Sequence, residues 1–149
     1  MLIKNIRIKN FRQYKNVFLE FSTDPHKNLT VILGENGYGK TTLIRAFIWC
    51  LYRDGKLFKN PILLNDDVAT EMSPGSEEKV VVTIDLVHAN TNYRITTTEK
   101  YRKDVSGAIT VSSKAATSMI RESNPILYNQ TDVETVSYTH LTLPTTPYV

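Results

Sequence analysis

Eight residues, GENGYGKT at positions 34–41, constrain this chain more than any other stretch. They stand between the apolar run LTVIL and an amphipathic run that begins at Lys40. The backbone is therefore expected to leave a strand, bend sharply and enter a helix. The run fits G-x-x-x-x-G-K-[ST], with Gly34, Gly39, Lys40 and Thr41 in the fixed positions. Chance would produce this pattern in roughly one chain of this length in a few hundred. Glycines let backbone N–H groups turn inward around an anion with no Cβ in the way. The helix N-terminus at Lys40 adds its unpaired amides and the positive end of its dipole. The expectation is a cradle for phosphate oxygens. Lys40 supplies a point charge for β- and γ-phosphates, the Thr41 hydroxyl is a candidate Mg²⁺ ligand, and Thr42 can reach an α-phosphate. Glu35, Asn36, Gly37 and Tyr38 fill the variable positions of the same loop.

The flanking pattern is that of an α/β chain. In LIKNIRIKNF, Leu2, Ile6 and Ile8 recur with period two and share a face with Lys4. NVFLEF repeats the period through Val17, Leu19 and Phe21, and the polar RQYKN between them predicts a hairpin. LTVIL, apolar at nearly every position, is expected as a central strand buried on both faces. From Lys40 to Tyr52, Leu43, Phe47, Cys50 and Leu51 fall at helical spacing and Ile44 and Ile48 widen the stripe, so a largely buried helix is expected, ending at Gly55. Residues 54–78, with Gly55, Pro61, Pro74 and Gly75, read as a long loop. KVVVTIDLV and YRITTTEKY, around the turn HANTN, predict an antiparallel hairpin. Val80, Val82, Ile84 and Leu86 form one inward face, and Tyr93, Ile95, Thr97, Glu99 and Tyr101 the other. GAITVSS is expected as a further strand and KAATSMIRES as a short helix.

Composition excludes more than it assigns. The chain is 149 residues long, 41% hydrophobic and 22% charged, enough for one domain with a core, and its net charge of +3 is too small to argue for nucleic acid by itself. Cys50 is the only cysteine, so no intrachain disulfide forms. His26, His88 and His140 lack metal-ligand spacing. No run is apolar enough for a signal peptide or a membrane span, and a cytoplasmic protein is the simplest expectation.

The last fourteen residues, VSYTHLTLPTTPYV, contain no Lys, Arg, Asp or Glu, where a chain of this composition would place about three. VSYTHLTLPTT resembles a transposon-end sequencing adapter translated as protein. The expected division is a nucleotide-binding lobe over residues 1–135 and a non-native tail over 136–149.

IRIKNFRQYKN, then VFLEFS, then NLTVILGENGYGKTTLIRAFIWCLY resembles the N-terminal head segment of the SMC-like ABC ATPases, a group that includes RecF/RecN/SMC and SbcC-type proteins and DndD. The resemblance covers residues 1–53, and NFRQY, FST and WCLY are most similar to the DndD-like branch. It implies an incomplete α/β P-loop NTPase fold: the N-terminal lobe of an ABC-type head, with a mixed sheet around the P-loop helix and an antiparallel β-subdomain. It also implies ATP with Mg²⁺ as ligands, a homodimer of heads, DNA as a partner, and Arg12 near the bound nucleotide. Arg94, Lys100, Arg102 and Lys103 are candidate DNA-phosphate contacts. Gln130 is a candidate for the family's Q-loop glutamine.

The resemblance implies that hydrolysis uses an Asp–Glu pair after an apolar strand in a second lobe, with a signature loop, and that a long coiled coil joins the lobes; this sequence shows no match to any of them. A chain that holds ATP without cleaving it is therefore expected. Three other readings stay open: another P-loop enzyme such as a kinase, a DNA-binding module with secondary nucleotide binding, and a structural fragment that binds nothing. A GTPase is disfavoured, because D-x-x-G at Asp104 to Gly107 follows no apolar strand and reads as a turn.

Overall fold

The computed structural model describes residues 1–27, 29–53, 58–121 and 124–128, the last five by backbone alone. Its frame is a sheet in the order β2-β1-β3-β4-β5-β6, antiparallel at every pairing. The first hairpin joins β1 (Leu2–Phe11) to β2 (Tyr14–Glu20), closing at Phe11 opposite Tyr14. In β1 the inward face is Ile6, Ile8 and Asn10, whereas Leu2 and Lys4 are exposed. A register shift between Ile3 and Asn5 moves the alternation by one residue, so the expected Leu2–Ile6–Ile8 face is broken at its start.

The second hairpin, β3 (Glu77–His88) and β4 (Thr91–Lys103), turns at Ala89 and Asn90, both at positive φ of 47° and 57°. This mirror-image turn matches the twist of the strands it joins. Val80, Val82, Ile84 and Leu86 are buried as their spacing predicts, opposite a β4 face of Ile95, Thr97 and Tyr101. Full burial of each such aliphatic side chain stabilises the fold by about 1.5–3 kcal/mol.

β5 (Ile109–Arg121) runs through the segment expected as a helix, KAATSMIRES. Its pairing with β4 extends from Tyr93 opposite Arg121 to Lys103 opposite Ile109, and that ladder overrides the local alanines. The period-two signal was present in Ala115, Thr117 and Met119, which face inward while Lys114, Ala116 and Ile120 are exposed. β6 (Asn124–Tyr128) completes the sheet. Asp104 to Gly107 form the expected turn. The Asp104 carboxylate accepts from Ser106 Oγ at 2.7 Å and from the Ala108 amide at 2.9 Å, which lowers its pKa, with the Ser106 bond as the larger cause.

Helix α1 (Lys40–Tyr52) packs on β3 and β4 through Leu43, Ala46, Trp49, Cys50 and Leu51. Ile44 is 60% exposed, so the buried stripe is narrower than the apolar residues suggest. Trp49 carries the largest fully buried side chain and meets Phe11 at 5.5 Å between ring centroids. The helix stops at Arg53, in left-handed conformation, whose amide donates to Trp49 O at 2.9 Å. The expected stop at Gly55 lies outside the described residues.

Two further expectations are corrected. Residues 29–33 belong to no strand, and Leu29, Val31 and Leu33 are 81%, 67% and 88% exposed rather than buried. Every described strand pairs antiparallel with another described strand, and none of them pairs with this run. The expected mixed sheet is thus antiparallel over the described residues. The long loop, in turn, is folded where it is described. Residues 63–65 lie against the tip of β1, with Arg12 N–H donating to Leu63 O at 2.8 Å and Asn65 N–H to Asn10 O at 2.9 Å. Asn65 then caps α2 (Asp66–Glu71) by accepting from the Val68 amide at 3.1 Å. Phe58, Leu63, Leu64, Val68 and Met72 are buried in the core. Among the described residues no helix is long and apolar enough to cross a membrane.

Candidate phosphate-binding site

The loop between residues 34 and 39 delivers the chain to α1 through two left-handed glycines, Gly37 at φ 89° and Gly39 at φ 104°. Gly39 is the N-cap residue, so no side chain satisfies the first amides of α1, and the first turn carries no acidic residue. An uncapped helix start without its own carboxylate leaves the positive end of the dipole to an external anion.

Asn36, Gly37, Gly39, Lys40, Thr41 and Thr42, with Gln13, line a cavity of about 320 Å³ at this helix end. Gly34, Glu35 and Tyr38 face an adjoining groove of about 500 Å³, walled by Val17, Leu19, Ile32 and Leu33, into which Lys40 also projects. Lys40 Nζ donates to the carbonyls of Gly34 and Glu35, the latter at 2.9 Å. The ammonium is thus held inside the loop by neutral acceptors, which a phosphate oxygen would replace with a stronger, charge-assisted bond.

Arg12 lines neither space. Its backbone is left-handed at φ 52°, its guanidinium stacks over Phe58 at 5.1 Å, and Nη2 donates to Asn60 O at 3.0 Å. The basic β4 residues are also not gathered into one free patch. Arg94 binds Asp85 at 2.6 Å and 2.9 Å, and Lys103 Nζ donates to the Ala69 and Thr70 carbonyls at 2.9 Å and 3.2 Å. Lys100 and Arg102 stand on the same strand. Gln130 lies outside the described residues, as does the whole tail 136–149.

Sequence reasoning passed over Gln13 and Tyr14. Tyr14 hydroxyl donates to Gly39 O at 2.9 Å, Gln13 Nε2 donates to Gly37 O at 3.4 Å, and Thr42 Oγ1 donates to Gln13 Oε1 at 2.8 Å. A polar hairpin turn gave no signal that it would reach a loop more than twenty residues away.

The site suits a nucleotide triphosphate with a divalent cation. A Cβ at Gly39 would lie 2.4 Å from the Tyr14 hydroxyl, so the close backbone approach needs a glycine. Among the described residues no three His, Cys, Asp or Glu side chains come together as a metal site. A Mg²⁺ here would be held by the Thr41 hydroxyl and phosphate oxygens, the manner in which this ion is commonly held.

Comparison with known proteins gives the family and the fold. The profile of the AAA domain family, AAA_23, matches residues 5–137. The chain is 40% identical over 52 residues to the DNA double-strand break repair Rad50 ATPase of Methanococcus maripaludis, covering 35% of this chain and 5% of that protein. It is 41% identical over 68 residues to the DNA replication and repair protein RecF of Acetivibrio thermocellus, covering 45% of this chain and 17% of that protein. The matches therefore take in under a fifth of either relative. A solved chain from a structural study of ATP-driven dimerization and DNA-stimulated activation of SMC ATPases matches with a TM-score of 0.55 and 16% identity, over 93% of this chain and 78% of its own. A family match over residues 5–137 and a fold shared with a solved SMC ATPase chain make the assignment: the chain belongs to the AAA domain family, with the fold of an SMC-like ATPase head.

Proposed function

We propose that this chain is the N-terminal nucleotide-binding lobe of an SMC-like ATPase and holds ATP with Mg²⁺ in the cavity at the start of α1. The observation that carries the reading is the convergence of Lys40, Thr41 and Thr42 with two left-handed glycines at an uncapped helix end. In this reading the loop amides and Lys40 bind the β- and γ-phosphates, Thr42 the α-phosphate, and Thr41 the metal. Arg12, which lines neither space, is placed near the nucleotide by the family resemblance alone. The bound metal would supply charge neutralisation at the phosphates.

Among the described residues no carboxylate lines the cavity, and the Gln13 side-chain amide there is engaged with Gly37 O and Thr42. The chain on its own is expected to bind ATP without turnover, and turnover abolished by Lys40→Ala would overturn this. We place the parent protein in the cytoplasm, in DNA repair or chromosome maintenance, acting as a pair of heads on DNA. The support is the naming of the Rad50 and RecF relatives for repair. The narrower DndD-like placement, with a role in DNA modification or defence, rests on NFRQY, FST and WCLY alone. The lobe boundary near residue 135 is supported by the family match ending at 137.

The test is calorimetric titration of Mg-ATP into the chain and into Lys40→Ala. Loss of the charge-assisted bonds is expected to weaken binding about tenfold or more while the unfolding midpoint stays put. Equal affinities would remove the assignment.

A further inference from the structure

We propose that Gln13 and Tyr14, at the tip of the first hairpin, are positioning residues that hold the phosphate loop in its anion-binding conformation. The proposal rests on the reading of that loop as a nucleotide site.

Gly39 O accepts two hydrogen bonds, from the Tyr14 hydroxyl at 2.9 Å and from the Leu43 amide at 2.8 Å. The peptide is planar, with its carbonyl and N–H pointing in opposite directions. Fixing Gly39 O from two sides therefore fixes the Lys40 N–H on the side of the cavity. Gln13 works on the next peptides. Its Nε2 donates to Gly37 O at 3.4 Å and its Oε1 accepts the Thr42 hydroxyl at 2.8 Å. One side chain thus joins the loop to the first turn of α1. The contact is close-packed as well as hydrogen-bonded, because a Cβ at Gly39 would lie 2.4 Å from the Tyr14 oxygen and 2.9 Å from Gln13 Nε2.

A positioning residue must itself be fixed, and this hairpin tip is. Arg12 is left-handed, its N–H donates to Leu63 O at 2.8 Å, and Asn65 Nδ2 donates to its carbonyl. Leu63 N–H donates in turn to the buried Tyr101 hydroxyl at 3.0 Å. The loop is therefore braced against the sheet through residues 12–14, and two left-handed glycines keep a conformation that their own flexibility would not maintain. When phosphate arrives, the Thr42 hydroxyl exchanges Gln13 Oε1 for a phosphate oxygen, while Gln13 Nε2 keeps its bond to Gly37 O.

Mg-ATP and Mg-tripolyphosphate are titrated into the full chain, Tyr14→Phe, Gln13→Ala and Lys40→Ala, with the thermal midpoint of each ligand-free protein measured alongside. Tyr14→Phe keeps the ring and its packing. Each of the two hairpin variants is expected to weaken both ligands about three- to tenfold at an unchanged midpoint, the scale of one lost hydrogen bond. Wild-type affinity in both hairpin variants, with Lys40→Ala still defective, would overturn the positioning role and leave the phosphate site standing. A loss confined to Mg-ATP would overturn it too, since the residues would then touch the nucleoside. A loss matched by a falling midpoint would show a structural role only. Absence of binding by the unaltered chain would remove the phosphate site and the proposal together.

Discussion

The buried Tyr101 hydroxyl accepts the Leu63 amide at 3.0 Å while donating to the Glu99 carboxylate. Burial raises the phenol's pKa, with the Glu99 bond as the next cause, so the group stays a neutral donor throughout the physiological range. Tyr101→Phe keeps the ring but strands the Leu63 N–H in the core. The expected loss is about 1–3 kcal/mol, the cost of an unsatisfied buried donor. Urea unfolding of the two proteins checks it, and a difference of only a few tenths would mean that the amide finds another acceptor.

Gly37 and Gly39 separate strain from collision. Both are left-handed, but a Cβ at Gly37 meets nothing within 4 Å, whereas one at Gly39 runs into Tyr14. Gly37→Ala should cost about 1–2 kcal/mol from backbone strain alone. Gly39→Ala should cost more and also weaken phosphate binding, because the hairpin tip must retreat. Equal unfolding midpoints for the two variants would contradict the packing described here.

Asp85 gives the fold a measurable acid limb. Arg94 grips both carboxylate oxygens and Arg7 approaches to 3.7 Å, so the Arg94 hydrogen bond, above all, holds the carboxyl below its usual pKa. A depressed pKa stabilises the fold above the unfolded value, about 4 for aspartate, and that contribution is lost as the pH falls through the folded value. Asp85→Asn is expected to lower stability by about 0.5–1 kcal/mol at neutral pH, in keeping with a partly exposed pair. The gap should close below about pH 4 and shrink in high salt. A gap independent of pH would show that packing is responsible.

Cys50 should be chemically silent in the folded state. It is fully buried between α1 and the sheet, with Sγ 3.3 Å from Val82 O, and burial pushes its thiol up to about 12. Alkylation at pH 8 is expected to proceed only as fast as the chain unfolds, so adding urea accelerates it steeply. Rapid labelling in native buffer would show that α1 opens locally.

The sequence exposed those parts of the fold whose signals are local. Val80 through Leu86 alternate because one face meets α1, and GENGYGKT carries its own bend, so both were legible. Three features depended on partners distant along the chain. KAATSMIRES read as a helix until the β4 ladder was in place, and the loop after α1 is ordered by backbone bonds of Leu63 and Asn65 with Arg12 and Asn10, far earlier in the chain. Gln13 and Tyr14 were missed because a turn residue's target cannot be read from its neighbours. The run LTVIL was misjudged for the converse reason: its apolarity records a partner that the described strands do not supply.

That run has a practical consequence. Residues 29–33 present four apolar side chains out of five to water, outside any described strand and without a proline or a charge to interrupt them. An exposed, uncharged apolar segment of this kind is a template on which a second extended chain can grow. Colloidal behaviour is therefore tied to one five-residue segment: sedimentation should drift with protein concentration, and a single lysine at Val31 should restore ideal behaviour while leaving the hairpins untouched.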